Sequence, residues 1–250
     1  MTSEFRLSVP ADIPALRRLW QEAFGDPEGY LDLFFSTAYR PGRCMVLSEE
    51  GRILAAAYWL TCRLGESRLA YVYAVAVDKA ARGRGLGKGL MTAVEAHLAR
   101  ENWAGVLLVP GEESLRKFYV NLGYSNISCH RRFTAGPGTP VSIRILSPAE
   151  YAEARRGLLP ENGVIQEGDS LEFLSKLAVF YRGDGFLAAV TAEGCPEFLG
   201  DAAKAPGLAA ALGRASLPLR TPGGHTPYAM GKSLTATPLP QPLYFGFGFD

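Results

Sequence analysis

The stretch Asp78-Lys-Ala-Ala-Arg82-Gly83-Arg84-Gly85-Leu-Gly87-Lys88 sets Lys79, Arg82, Arg84 and Lys88 among closely spaced glycines, with no carboxylate from Lys79 to Lys88. Glycines let the backbone turn tightly and bring its N–H groups against a ligand. Where a helix starts, the first N–H groups are unpaired and the helix dipole favours negative charge, so the stretch suits a phosphate. Two common phosphate loops fail on spacing. A P-loop needs Gly-Lys-Ser/Thr, but Gly87-Lys88 is followed by Gly89. The dinucleotide fingerprint needs a glycine where Lys88 or Leu90 stands. A second candidate is Tyr119, within Ser114-Leu-Arg-Lys-Phe-Tyr119-Val-Asn-Leu-Gly123-Tyr124. Taken alone, its ring reads as an aromatic packing beside Phe118. Cys44, Cys62, Cys129 and Cys195 are scattered, and His97, His130 and His225 are isolated. That spacing supports neither a metal site nor a nucleophilic cysteine, and reads as reduced, core-packed thiols.

The elements that must position these groups can be read from periodicity. Residues 69–77 alternate Tyr71, Tyr73, Val75 and Val77 with Val72, Ala74 and Ala76, which predicts a strand buried on both faces. Leu86, Leu90, Val94 and Leu98 step by four and predict a helix directly after the glycine loop. Upstream, Phe5–Val9 reads as a strand. Leu16, Leu19, Trp20 and Ala23 then mark a helix ended by Gly25, and a second helix opens at Asp26-Pro27-Glu28, with Asp26 the expected cap. Residues 44–47 and 53–61 flank a glycine turn and predict a hairpin. Residues 105–109 predict a short strand parallel to the central one, because a helix connects them. A short helix ends before Gly123, and residues 124–133 read as the last strand region of this half.

Two runs carry a family resemblance. Arg82-Gly-Arg-Gly85-Leu-Gly87 fits R/Q-x-x-G-x-G/A, and Tyr119-Val-Asn-Leu-Gly123-Tyr124 fits Y-x-x-x-G-F/Y. In both, the sequence resembles the GNAT superfamily of acyl-coenzyme A N-acyltransferases. The resemblance implies an α/β fold of the α+β mixed-sheet kind, with splayed central strands. It implies acetyl-coenzyme A as acyl donor, a small-molecule or protein amine as acceptor, and direct attack in a ternary complex. It places the pantetheine arm against the backbone of Val75 and Val77, and the pyrophosphate against Arg82, Gly83, Arg84, Gly85, Gly87 and Lys88. Tyr119 would protonate the departing thiolate, and the junction holding Asp26 and Glu28 would face the acceptor amine. The sequence departs from the pattern at Glu112, at Leu115 and in the central strand, where Tyr71 and Tyr73 stand in the stretch that often carries a glutamate. Glu66 is the nearest carboxylate to that strand, and water or the terminal carboxylate of Asp250 are the other candidate bases.

Gly136-Pro-Gly-Thr-Pro140 reads as a linker between residues 1–135, the GNAT-like unit, and residues 141–250, a smaller cofactor-free α/β region. The layout resembles multidomain GNAT proteins, including Eis-like aminoglycoside acetyltransferases, in which a degenerate GNAT-like region follows the active one. In the second region we expect strands at 141–146, 171–181 and 186–191 and helices at 148–158 and 203–212, then an aromatic, proline-rich tail. A net charge of +1 gives no support for nucleic-acid binding. No stretch approaches a membrane span and the N-terminus lacks a signal-peptide core, so a cytoplasmic location is expected. Self-association is left open. The competing function is a noncatalytic acyl-coenzyme A sensor or assembly module, motivated by the missing central-strand carboxylate.

Overall fold

Leu7, Met45 and Leu47 lie along one sheet face, and the chain before the glycine loop builds that sheet in the expected order. The computed structural model describes residues 3–249. Strand β1 (Ser3–Leu7) pairs with β2 (Cys44–Glu49), β2 with β3 (Arg52–Leu64), and β3 with β4 (Ser67–Val77), all antiparallel. Between β1 and β2 run helices α1 (Ile13–Phe24), stopped by Gly25 in the left-handed conformation, and α2 (Glu28–Thr37). Helix α3 (Leu86–Arg100) follows the glycine loop and leads into β5 (Gly105–Leu108), parallel to β4 as expected. Leu16, Trp20, Leu31 and Phe34 pack on one face of the sheet; Leu90, Met91, Val94 and Leu98 pack on the other. Both faces of β4 are therefore covered.

The alternation along β4 holds only as far as Tyr73. Ala74 has φ of 52°, and the register with β3 jumps from Tyr58↔Tyr73 to Ala56↔Ala76, so β4 carries a bulge. The extra residue exchanges the faces. Val75 and Val77 pack with the α3 side, whereas Tyr71 and Tyr73 pack with the α1 side, which corrects the single expected set. A non-glycine residue in this conformation costs about 1–3 kcal/mol and persists only where its surroundings hold it.

Helix α4 (Glu113–Val120) ends before Gly123 and is followed by β6 (Ser125–Asn126). The expected strand at 124–133 is in fact two strands in different sheets, because β7 (Cys129–Ala135) leaves to pair elsewhere. The second half supplies β8 (Ile143–Leu146), α5 (Pro148–Arg156), α6 (Asp169–Leu177), β9 (Val179–Gly183), β10 (Phe186–Val190), β11 (Glu197–Gly200) and α7 (Ala205–Ala211). Residues 171–177, expected as strand, are helical. Leu171 and Leu174 bury one face, acidic Asp169 and Glu172 lie in the first turn and Lys176 in the last, all favourable to the helix dipole. The tail is also more regular than its prolines suggest, forming β12 (Leu217–Pro222), β13 (Thr226–Pro227) and β14 (Met230–Ser233).

The three sheets run β1-β2-β3-β4-β5-β14-β6, β11-β10-β9-β8 and β12-β7-β13. Segments from both sides of residues 136–140 thus share two of them. β14 pairs antiparallel with β5 and also with β6, closing the first sheet from the far end of the chain. Gly231 permits this. A Cβ there would stand 2.1 Å from Ile127 Cδ1, so any side chain would displace the strand crossing. Lys232 then reaches Glu95 of α3 at 2.6 Å, and Tyr124 donates to the same carboxylate at 2.9 Å.

A second tie lies under the tail. Glu197 and Arg155 are fully buried and paired through two hydrogen bonds of 2.8 and 2.9 Å. Tyr151 and Tyr244 each donate to Glu197 at 2.8 Å, so both carboxylate oxygens are satisfied. Burial alone disfavours the Arg155 charge, but Glu197 outweighs it and raises the guanidinium pKa. Glu197→Ala leaves that cation buried and unpaired, and is expected to lower unfolding free energy by about 3–5 kcal/mol in urea titrations; a loss under about 1 kcal/mol would show that the pair is not a structural tie. Truncation after Pro140 leaves β5 without β14. The shortened chain is expected to be insoluble or rapidly digested by protease, and a protease-resistant monomer with native circular dichroism would contradict that dependence.

Candidate functional site

β4 and β5 are paired only at Leu69↔Gly105, Ala70↔Val106 and Tyr71↔Leu107. Beyond Tyr71 the two strands part, and residues 72–77 keep a partner strand on the β3 side alone. The Ala74 bulge falls within this parted length, so it turns the exposed edge as well as exchanging faces. Backbone groups on such an edge need partners, and an amide-bearing ligand can supply them.

β4 delivers the chain into the glycine loop. Asp78 Oδ1 accepts from the Ala80 N–H at 2.9 Å and holds the turn that follows the strand. Gly83 and Gly85 have φ of 81° and 75°, a backbone conformation that side chains rarely adopt, and Gly85 caps α3. Among the described residues, the N–H groups of residues 83–88 donate to no protein acceptor. They form a concentration of free donors at the positive end of a helix. Arg82 Nε donates to the Val77 carbonyl at 3.2 Å, fastening the loop to the strand. Lys88 is exposed. Arg84 departs from the expected carboxylate-free cluster, since Glu49 at the end of β2 accepts its hydrogen bonds at 2.8–3.1 Å. That bond raises the Arg84 pKa and lowers that of Glu49.

The parted strands open into a cleft of about 1200 Å³. Val72–Val75 of β4 form one wall, with Leu108, Val109 and Tyr119 opposite. Tyr119 is 6% exposed and stands edge-on to Phe118 and Tyr124. Its hydroxyl has no hydrogen-bond partner among the described residues. Burial pushes its pKa up to about 12, so it keeps its proton. Neither the phenol's location nor its protonation could be read from its motif alone.

The cleft continues past β4 into an aromatic chamber. Trp20, Tyr30, Tyr71, Tyr73 and Phe249 line it, with Tyr30 and Tyr73 hydroxyls 2.6 Å apart. Asp26 also lines it, but does not cap α2. Pro27 takes the capping position, and Asp26 Oδ2 instead accepts from Trp20 Nε1 at 2.8 Å. Glu28 is withdrawn from the cleft by Arg17 and Gln21. Glu66 sits in the exposed β3–β4 turn, at the opposite end of β4 from Val75, and does not line the cleft. The carboxylates among the cleft's described lining residues are Asp26 and Glu193, the latter absent from the sequence reading because it lies in the second half. Asp250 lies outside the described residues. The tail reaches the chamber, with the Phe249 N–H donating to Tyr71 Oη at 3.1 Å and the Gly248 N–H to Tyr228 Oη at 2.7 Å.

Comparison with known proteins agrees with this geometry. Residues 4–127 match the family described as an acetyltransferase (GNAT) domain. A search of the curated proteins finds no match. Among solved structures, a GCN5-related N-acetyltransferase from Kribbella flavida superposes with a TM-score of 0.71 at 15% identity, covering 93% of this chain and 71% of that one. A GCN5-related N-acetyltransferase from Anabaena variabilis gives 0.68 at 11% identity, over 94% and 73%. Eis1 from Mycobacterium abscessus gives 0.66 at 15% identity, over 94% and 74%. At these identities the likeness is one of fold, and it runs through both halves of the chain. No helix among the described residues is long and apolar enough to cross a membrane. Motif and parted strands both fall within the matched stretch, and residues 4–127 of the chain are a GNAT acetyltransferase domain.

Proposed function

We propose that this protein is an N-acetyltransferase that moves the acetyl group of acetyl-coenzyme A to a primary amine by direct attack in a ternary complex. The observation that carries the reading is the row of free N–H donors at residues 83–88, following a β4 that has parted from β5 to open a cleft lined by a protonated, buried phenol. When bound, the thioester supplies an activated acyl carbon and a leaving group. The N–H groups from Gly83 to Lys88, with Arg82 and Arg84 beside them, hold its pyrophosphate. The backbone of β4 around Val75 and Val77 takes the amide-bearing arm and steadies negative charge on the acyl oxygen. Asp26 draws the amine into the aromatic chamber. Water carries the amine's proton away, since β4 presents Tyr71 and Tyr73 rather than a carboxylate. Tyr119 donates its hydrogen bond, then its proton, to sulfur as the C–S bond breaks. The burial that keeps that proton in place also makes the phenol a weak acid, so its help comes only as charge builds on sulfur.

A sensor that binds the coenzyme without turning it over is the second reading, motivated by the same absence of a carboxylate on β4. Thiol release and intact-mass measurements with acetyl-coenzyme A and a panel of amines separate the two. Acetylated amine is the expected product; saturable binding with no product would favour the sensor.

Gly87 has ordinary backbone angles, and a Cβ there meets only Phe118 and Val77 at 3.6 and 3.7 Å. Gly87→Glu therefore puts a carboxylate at a helix start, which the dipole tolerates and a pyrophosphate does not. Coenzyme A affinity is expected to fall by about tenfold or more in calorimetry with no loss of thermal stability; unchanged affinity would remove the loop from the site. Tyr119→Phe is expected to lower turnover by about 10²-fold. Because the phenol's pKa lies at about 12, the ratio of wild-type to variant turnover should stay flat between about pH 7 and pH 10. A ratio near one, or one that decays across that range, would reject Tyr119 as the acid.

A further inference from the structure

We infer that the acceptor carries an anionic group, carboxylate or phosphate, remote from its amine, and that Arg132 and Arg220 bind it. Arg132 of β7 and Arg220 of β12 stand directly opposite each other in antiparallel register. Like charges so placed repel and weaken a sheet. Among the described residues no carboxylate pairs with either, since every ion pair there uses another cation. Glu193 lines the same cleft and pairs with neither.

Arg220 is held in place, and Arg132 is exposed beside it. Arg220 Nε donates to the Pro196 carbonyl at 3.2 Å, and its guanidinium lies 4.7 Å from the centroid of Tyr228. Arg132 lies 6.0 Å from the centroid of the same ring. One aromatic ring therefore braces two cations, and both line the cleft that also contains Asp26 and Tyr119. Guanidinium groups present planar donor forks that match carboxylate and phosphate oxygens. A pair of them lining one largely aromatic cleft forms an anion site, and the repulsion is relieved when it is filled. Residues 83–88 do not line this cleft, so the site is separate from the loop assigned to the pyrophosphate. The acceptor that fits is amphoteric, with an ammonium toward Asp26, an apolar body and an anion at the arginines. Its amine end rests on the acyl-transfer reading; its anionic end rests on the arginine pair.

The test is calorimetry in saturating coenzyme A, with phenylbutyrate, neutral phenylbutyramide and inorganic phosphate as probes. The acid is expected to bind about tenfold or more tightly than the amide. Phosphate binding in the same site, shown by competition with the acid, would identify phosphate as the better-matched anion; its failure to compete leaves carboxylate. Arg132→Glu turns the like pair into an opposite pair, and is expected to hold or raise Tm while abolishing the preference for the acid. Arg132→Lys keeps the charge and should retain most of it. Equal binding of acid and amide by the wild type, or an Arg132→Glu protein that still prefers the acid, overturns the inference. Turnover is read separately with matched amines ending in carboxylate or carboxamide. Anion binding without transfer to any amine supports the arginine site and rejects acyl transfer; equal transfer to both amines without anion binding rejects the site and leaves acyl transfer standing.

Discussion

A backbone N–H or C=O removed from water without a partner costs roughly 1–3 kcal/mol, and β4 is arranged so that its groups beyond Tyr71 lose the strand that would satisfy them. That deficit has to be offset by neighbours that hold the strand in place. β3 pairs along the full length of β4, helices cover both faces, and Arg82 fastens the loop back to Val77. The Ala74 bulge can persist because this frame over-determines it. A strand held this firmly on one side can be left open on the other.

The second half contributes to that frame rather than standing beside it. β14 flanks β5, so β5 is gripped from the side away from β4 and the opening between the two is kept. Lys232 binds Glu95 and the Leu122 carbonyl, which ties the same strand to α3 and to the turn after α4. The helix carrying Tyr119 is thereby fixed relative to the strand it faces. The tail, anchored through Glu197, Arg155 and Tyr244, brings Phe249 against Tyr71 and Tyr73. Chamber wall and central strand are one packed unit.

The glycine loop, the helix after it and the three antiparallel strands before it were legible because each has a local cause: φ at glycine, a four-residue apolar step, a turn at Gly51. What escaped depends on contacts between distant residues. Nothing about alanine at position 74 announces a bulge. Glu49 meets Arg84 only once β2 lies beside the loop. Residues 171–177 are apolar enough to read as strand, and their helical form is decided by packing on Tyr30 and Phe34 through Phe173. Asp26 looked like a cap because it precedes proline, but the Trp20 indole, buried one turn before the helix end, takes its carboxylate. Arg132 and Arg220 become neighbours only through strand register, which no local pattern in either segment specifies.

The late position of β14 bears on how the molecule is made. Leu107 must wait for Gly231 before its strand has a partner on that side, so the first half leaves the ribosome with an apolar edge uncovered. Pairing over such a span is slow and exposes the growing chain to association with its neighbours. The half that carries the family motif is then the first to be synthesised and among the last to be finished, and cellular yield would depend on what shields that edge in the interval.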